Sequence, residues 1–210
     1  MDIAGKISNK NRRHKFQVFM ELFNPGVDDN ILDIGANDEE YSENDNMLEK
    51  LYPYKKNITV LGLHSYKEFS NRYQDIKTIT YDGKVFPFKD KEFEYGWSNA
   101  VLEHVGDFNK QVFFIKEITR TCKKAFITTP NRLFPVEVHT RIPLLHFLPK
   151  HIFDSILVIF NLKWASGDYM HLLTKRKLIK VLNAAGVKNY TIRCNRFMLF
   201  AMDFMVMITE

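Results

Sequence analysis

The sequence predicts an α/β fold built on a mostly parallel sheet, because apolar strands alternate with amphipathic helices along residues 30–130. A glycine turn follows the first strand, and acidic residues stand at strand ends, where parallel sheets bind their ligands. A chain of 210 residues can bury one sizeable core, so we expect a single domain.

The helices and strands can be placed from local patterns. Apolar side chains at helical spacing predict a helix within residues 11–23, which an Asn-Pro-Gly motif ends. Residues 30–38 are typical of a short buried strand that turns at Gly35 into a helix, and apolar residues within 41–51 fit that helix. Further strands are predicted at residues 59–63, 76–81, 95–98 and 125–129, and further helices at residues 108–121 and 174–185.

Composition and charge exclude several classes of protein. The 30 basic and 25 acidic residues give a net charge of +5 that is spread along the chain, so no nucleic-acid-binding arm is predicted. Cys122 and Cys194 are too few and too isolated for a disulfide framework or a metal site, and we expect reduced thiols. No apolar run is long enough to span a bilayer, and no signal-peptide core follows the basic residues near the N-terminus. A cytoplasmic protein is therefore expected.

Residues 131–170 interrupt the alternation with a stretch rich in Pro, Phe, Leu and His that is too long for an ordinary connection. We predict an inserted cap there, which closes a cleft and excludes water. Peripheral membrane contact is a competing interpretation, since residues 152–160 are mostly apolar and Lys150 and Lys163 flank them. Asp154 within that run counts against membrane contact.

A longer pattern gives the chain a likeness to a known family. The letters DG stand at residues 82–83, FPF-x-D at residues 86–90 and VLEHV at residues 101–105. This arrangement resembles the class I S-adenosylmethionine-dependent methyltransferases, in the branch with an LPF-x-D-x-x-F-D stretch before VLEHV. Phe86 stands where that branch has leucine, and Glu94 where it has aspartate. The resemblance implies a Rossmann-like, doubly wound sheet with a C-terminal antiparallel hairpin, and S-adenosyl-L-methionine as cofactor.

The same resemblance assigns residues to the cofactor. The turn after the first strand would approach its amino-acid end, the end of the second strand its ribose, and the end of the third its adenine. The segment after the fourth strand would pass beneath its methionine end. The cofactor-binding residues implied in this way are Asp33, Gly35, Ala36, Asn37, Leu63, His64, Asp82, Gly83, Asn99 and Ala100.

Several of these residues also have plainer interpretations. Asp33 could cap the next helix, Asp82 could form a turn, and His64 could be a solvated surface residue. His64 stands where the family has a carboxylate for both ribose hydroxyls, and a neutral imidazole accepts only one such bond. Asn37 and Glu39 replace glycines that are usual in the family, so the cofactor would approach this loop less closely.

Three residues are candidates for contact with a methyl acceptor. The resemblance places His104 at the mouth of the cleft, and an imidazole can take the proton of a hydroxyl acceptor near neutral pH. A structural histidine is the alternative. In the predicted cap, His139 and Arg141 lie among apolar residues, which suits an acceptor with both hydroxyl groups and hydrophobic parts. They suit a solvated cap surface equally.

Two functions of different classes follow. The first is an S-adenosylmethionine-dependent methyltransferase acting at oxygen on a small molecule or a saccharide, lipid-linked saccharides included. Residues 98–101 do not resemble the N-P-P-Y loop of nucleic-acid amino methylation, and the chain has no Pro-Cys pair for carbon methylation of RNA. The second is a catalytically silent protein that keeps the fold as a binding or scaffolding module, which Asn37, Glu39 and His64 favour.

Overall fold

The computed structural model describes residues 3–136, 144–162 and 170–209. Its α-helices are α1 (Ile3–Phe23), α2 (Met47–Leu51), α3 (Lys67–Arg72), α4 (Phe108–Thr121), α5 (Lys150–Ile159) and α6 (Lys175–Ala184). Its strands are β1 (Ile31–Ile34), β2 (Ile58–Gly62), β3 (Lys77–Thr80), β4 (Phe93–Asn99), β5 (Cys122–Pro130), β6 (Tyr190–Phe197) and β7 (Phe200–Ile208). Short 3₁₀ turns lie at Lys55–Asn57, Leu102–His104 and Leu145–Phe147.

The seven strands form one sheet in the order β3-β2-β1-β4-β5-β7-β6. β1 pairs in parallel with β2 and with β4, and β2 pairs in parallel with β3. β6 and β7 pair antiparallel, and β6 lies at the end of the order, so the expected C-terminal hairpin at the sheet edge is confirmed. The sheet is mixed and mostly parallel, and its strand order reverses between β1 and β4, as in a doubly wound fold.

The chain divides into two compact units. Unit 1 contains Met1–Asn99, Glu117–Phe126 and Thr209–Glu210, and unit 2 contains Ala100–Lys116 and Ile127–Ile208. The boundaries fall within α4 and within β5. The single domain and the inserted cap, both expected from the sequence, stay predictions.

Aromatic side chains fix α1 on the sheet in unit 1. The ring of Phe19 is fully buried and lies edge-on to Trp97 and Phe126, with centroid distances of 5.2 and 5.8 Å. Trp97 on β4 and Phe126 on β5 stack with their centroids 5.1 Å apart. Aromatic contacts of this kind stabilise a core beyond the area they bury, so α1 has a defined position against these strands.

The segment after β1 differs from the prediction. No helix begins at Gly35, because residues 36–46 are irregular and α2 starts only after them. Tyr41, expected within that helix, is 83% exposed. The side chain of Asn46 accepts a hydrogen bond from the N–H of Asn37 and donates one to its carbonyl, both at 2.9 Å. Side chains that bond to the backbone in this way compete with helix formation.

Helix α5 contains most of the apolar run at residues 152–160. Ile159 and Phe160 at its C-terminal end are 77% and 64% exposed, so apolar side chains also face solvent. Membrane contact of this run stays a prediction. The buried cluster beneath the helix contains Leu145, Phe153 and Leu157, with Ile156 and Leu162 packed against it.

Candidate functional site

In unit 1 the carboxyl ends of the parallel strands β1 to β4 lie along one edge of the sheet. Gly35 turns the chain there with φ +93°, a left-handed value that favours glycine, and its N–H donates to the carbonyl of Leu61 at 3.0 Å. Ala36 is half-buried and Asn37 is exposed. The N–H of Asn37 already donates to Asn46, so a ligand would have to displace that bond to use this amide.

Asp33, the residue before the last of β1, lies beside a second buried carboxyl group, that of Glu49 on α2. Burial, the charge of Glu49 and a hydrogen bond to Glu49 raise the pKa of Asp33 well above its usual range. Burial also raises the pKa of Glu49. Two neighbouring buried carboxyl groups disfavour each other's ionisation, so the raised pKa values favour a state in which the pair shares one proton. Asp33 does not cap α2, whose N-cap residue is Asn46.

Four of the predicted residues follow β2 and β3. Leu63 and Gly83 are neighbours, because a Cβ atom added at Gly83 would lie 3.3 Å from Cδ2 of Leu63. His64 is exposed. The carboxylate of Asp82 is largely exposed and accepts a hydrogen bond from the N–H of Lys84 at 3.0 Å. This bond forms the turn that was the alternative interpretation of Asp82. Its other oxygen lies 3.7 Å from Lys84 Nζ, so it faces solvent beside a cation.

Helix α1 brings a buried cation to this edge. Lys15 is only 3% exposed, and its Nζ donates to Oδ1 of Asn99, the last residue of β4, at 3.5 Å. Arg12, three residues earlier, pairs with Asp45 at 2.8 Å and donates to the carbonyl of Asn44 at 2.8 Å. Burying an ammonium group is unfavourable unless an anion or strong acceptors lie beside it, and the side-chain oxygen of Asn99 is one such acceptor.

Sequence reasoning did not single out Lys15. It precedes Phe19 by four residues, which places both side chains on the same face of α1. A lysine on the apolar face of a predicted helix is the signal that could have identified it.

The FPF-x-D stretch is held by a charged pair on α4. The guanidinium of Arg120 bonds both carboxylate oxygens of Glu117, at 2.9 and 2.7 Å, and donates to the carbonyls of Phe86 and Phe88. It also bonds Asp90 at 3.0 Å, and the N–H of Phe86 donates to Glu117 at 2.8 Å. Burial opposes ionisation of Glu117, yet these bonds lower its pKa. In unit 1 these bonds fix the FPF-x-D stretch on α4. We call Arg120 and Glu117, together with residues 86–90, the α4 latch.

In unit 2 a buried carboxylate stands beside the predicted base. Glu103 is fully buried, and its Oε2 accepts the hydroxyl of Thr129 near the end of β5 at 3.0 Å. Its Oε1 lies 4.0 Å from Nε2 of His104, whose side chain is 26% exposed. The imidazole thus lies between a fixed carboxylate and solvent, which suits a group that exchanges protons.

Gln111 and the distant residue His171 hold the turn that carries His104. Gln111 on α4 donates to the carbonyls of Leu102 and His171, at 3.3 and 3.1 Å. The N–H of His171 donates to the carbonyl of Glu103 at 2.7 Å. No local pattern marks His171, because its partners Glu103 and Gln111 lie 68 and 60 positions earlier in the chain.

The remaining predicted residues have mixed outcomes. Asn99 ends β4, and Ala100 follows with φ +59° and donates its N–H to the carbonyl of Thr128 at 3.0 Å. His139 and Arg141 lie outside the described residues. Thus the structure places the predicted cofactor residues up to Asn99 at the strand ends of unit 1, and Ala100 and His104 in unit 2.

Comparison with known proteins places the fold among methyltransferases. Neither a protein-family model nor a curated protein matches the sequence. Among solved structures, the chain is similar to 1,6-didemethyltoxoflavin-N1-methyltransferase of Burkholderia thailandensis, which was solved with S-adenosylhomocysteine. That match has a TM-score of 0.60 and 11% identity and covers 96% of this chain and 80% of the other.

Two further solved structures show that proteins with this fold differ in activity. Geranyl diphosphate C-methyltransferase of Streptomyces coelicolor A3(2) matches with a TM-score of 0.57 and 12% identity, over 93% of this chain and 77% of the other. The [4+2]-cyclase SpnF matches with a TM-score of 0.55 and 14% identity, over 86% and 59%. The chain therefore has the Rossmann-like fold of S-adenosylmethionine-dependent methyltransferases, and its neighbours act on varied substrates. None of the helices within the described residues is long and apolar enough to cross a membrane.

Proposed function

We propose that the protein is an S-adenosylmethionine-dependent methyltransferase that acts at oxygen on a small molecule or a saccharide. The observation that carries this proposal is the buried ammonium of Lys15 beside Asn99, at the carboxyl edge of a sheet with this fold. The methionine part of the cofactor ends in a carboxylate, and a charge-assisted contact to Lys15 would hold it.

The residues of the edge suit the rest of the cofactor. Leu63 and Gly83 form an apolar pair on which an adenine ring could lie, with the exposed groups of His64 and Asp82 available for hydrogen bonds. Gly35 lets the chain turn close to a ligand. When bound, S-adenosylmethionine supplies a methyl group on a sulfonium, which is transferred by in-line displacement.

His104 is proposed as the base that takes the proton of a hydroxyl acceptor. Glu103 cannot exchange protons with solvent itself because it is fully buried, but its carboxylate lies within ion-pair distance of the imidazole. We infer that Glu103 is a positioning residue that favours the imidazolium once the proton has been taken. His139 and Arg141 stay proposals for acceptor binding.

Calorimetry with two ligands tests this proposal. S-adenosylhomocysteine contains the amino-acid carboxylate, whereas 5′-methylthioadenosine lacks it. Wild-type protein should bind both, and Lys15→Met should weaken S-adenosylhomocysteine about tenfold or more, the effect of a lost charged hydrogen bond of about 1.5–3 kcal/mol. Affinity for 5′-methylthioadenosine should not change.

Lys10→Met is the matched control, because Lys10 is an exposed lysine of the same helix. It should leave both affinities unchanged. If wild-type protein binds neither ligand, the methyltransferase proposal is wrong. If Lys15→Met weakens both ligands equally, the placement of the carboxylate is wrong although the function can stand.

A catalytically silent binding or scaffolding protein is the second candidate. It is favoured by the N–H of Asn37, which is already bonded to Asn46 in the loop where the family uses its backbone. The cyclase among the structural neighbours illustrates that this fold alone does not fix an activity. Absence of binding in the same calorimetric experiment would support this candidate.

A further inference from the structure

The turn between β6 and β7 exposes four consecutive apolar side chains. Phe197, Met198, Leu199 and Phe200 are 37%, 81%, 86% and 53% exposed, and we call them the hairpin tip. Single exposed apolar residues are ordinary, but a contiguous group at a protruding turn is typical of an interaction site. Nothing in the proposed chemistry requires these side chains.

The hairpin tip adjoins the strand end that holds Glu103. Asn131, just after β5, donates its N–H to the carbonyl of Met202 at 2.9 Å and its side-chain amide to the carbonyl of Ala201 at 2.8 Å. Thr129, two residues earlier, binds Glu103. The hairpin tip therefore lies at the same end of unit 2 as the residues around the predicted base.

The charge of the surrounding segment narrows the choice of partner. Residues 170–209 contain seven basic residues and one acidic residue, Asp203, which is buried. The segment thus offers exposed positive charge with no exposed acidic side chain. The basic residues, all exposed, are Lys175, Arg176, Lys177, Lys180, Lys188, Arg193 and Arg196. Arg196 directly precedes the hairpin tip, whereas Lys188 precedes the opposite end of the hairpin.

We propose that the hairpin tip inserts into the interface of a bilayer that contains anionic lipids. A protruding apolar turn can enter the boundary between headgroups and acyl chains, and the basic residues of the same segment are attracted to anionic headgroups. This inference is independent of methyl transfer, because lipid association can be measured without any cofactor.

Vesicle sedimentation tests the proposal on the full chain. The protein should associate with vesicles of phosphatidylcholine mixed with phosphatidylglycerol and at least tenfold less with phosphatidylcholine alone. Added salt should weaken the association. The double variant Met198→Glu, Leu199→Glu should lose association at least tenfold, and both positions are exposed enough to leave folding intact.

Two control variants separate this surface from others. Val27→Glu changes a residue of unit 1 that is 59% exposed, and Ile159→Glu changes the 77% exposed end of α5. Both should keep most of the lipid association. The proposal is overturned if wild-type protein ignores anionic vesicles, if the double variant still binds them, or if Ile159→Glu alone abolishes binding. It is also overturned if gel filtration shows that the double variant only dissociates a dimer.

Discussion

The α4 latch in unit 1 and the cluster beneath α5 in unit 2 hold their segments by opposite means. In the latch, Arg120 and Glu117 bond the backbone of residues 86–88 through directed, charged hydrogen bonds. The cluster consists of the apolar side chains around Leu157. Directed bonds require particular residues at particular positions, whereas apolar packing accepts many residues of suitable size.

This difference explains where sequence motifs are informative. The FPF-x-D stretch was recognised through its resemblance to a family pattern, and within it only the side chain of Asp90 bonds Arg120, whereas Phe86 and Phe88 contribute backbone carbonyls. The residues beneath α5 have no comparable spacing rule, and the sequence there predicted only an apolar helix. A motif can therefore mark a structural latch as readily as a catalytic group.

Leu157→Glu should have the largest effect, because it disrupts the apolar cluster beneath α5. Leu157 is fully buried, so a charge there would lack solvation and partners, and the free energy of unfolding should fall by about 4 kcal/mol or more. Urea unfolding followed by circular dichroism measures the change. Ile159→Glu, on the exposed end of the same helix, should cost less than about 0.5 kcal/mol. Equal losses for the two variants would contradict the burial described for α5.

Arg120→Met should break the polar side with an intermediate effect. It removes bonds to Glu117, Asp90 and the 86–88 backbone and leaves the Glu117 carboxylate without its cation, which should cost about 2–3 kcal/mol at pH 7. The pKa of Glu117 is lowered in the folded state, so its ionised carboxylate stabilises the fold at a pH above the pKa that it has in the unfolded chain. As the pH falls below about 4, Glu117 becomes protonated, and the cost of Arg120→Met should shrink.

Lys123→Met is the matched control for the α4 latch. Lys123 pairs with Glu94 at 2.6 Å, but its side chain is 47% exposed, so the loss should stay below about 1 kcal/mol. The two variants are compared by urea unfolding at pH 7 and pH 3.5. A penalty for Arg120→Met that does not depend on pH would argue against an ionised Glu117 in the latch.

Glu49→Gln should have the smallest effect. It sharpens the comparison between polar and apolar contacts, because the buried pair of Asp33 and Glu49 lowers the stability of the folded state at neutral pH. The raised pKa values of Asp33 and Glu49 mean that the folded state holds a proton which the unfolded chain releases. Wild-type stability should therefore fall as pH rises from about 4 towards the raised pKa values. The glutamine amide can donate to Asp33 instead, so the variant should gain about 1 kcal/mol at pH 8. Parallel stability curves for the two proteins between pH 5 and pH 8 would show that the pair does not share a proton.

Much of the fold was predictable because its signals are local. Apolar runs located β1 to β5 within a few residues, and α4 spans the predicted residues 108–121. The helix expected directly after Gly35 begins only at Met47, because apolar periodicity does not report the bonds between Asn46 and Asn37 that hold an irregular loop before it.

The candidate site was less accessible to sequence reasoning. The positions of Asp33, Leu63 and Asp82 near the ends of predicted strands indicated that they lie along the carboxyl edge of the sheet, because parallel strands run in the same direction. The proton shared with Glu49 and the approach of Lys15 depend on tertiary packing, and no local pattern encodes them. The roles of the predicted site residues stay predictions.

The contact between Lys15 and Asn99 also constrains the order in which the chain can fold during synthesis. Its partners lie 84 positions apart, so at roughly 5–20 residues per second α1 leaves the ribosome about 4–17 s before β4 is complete. Until then Lys15 cannot make this contact, and the apolar face of α1 has no complete β4 to pack against.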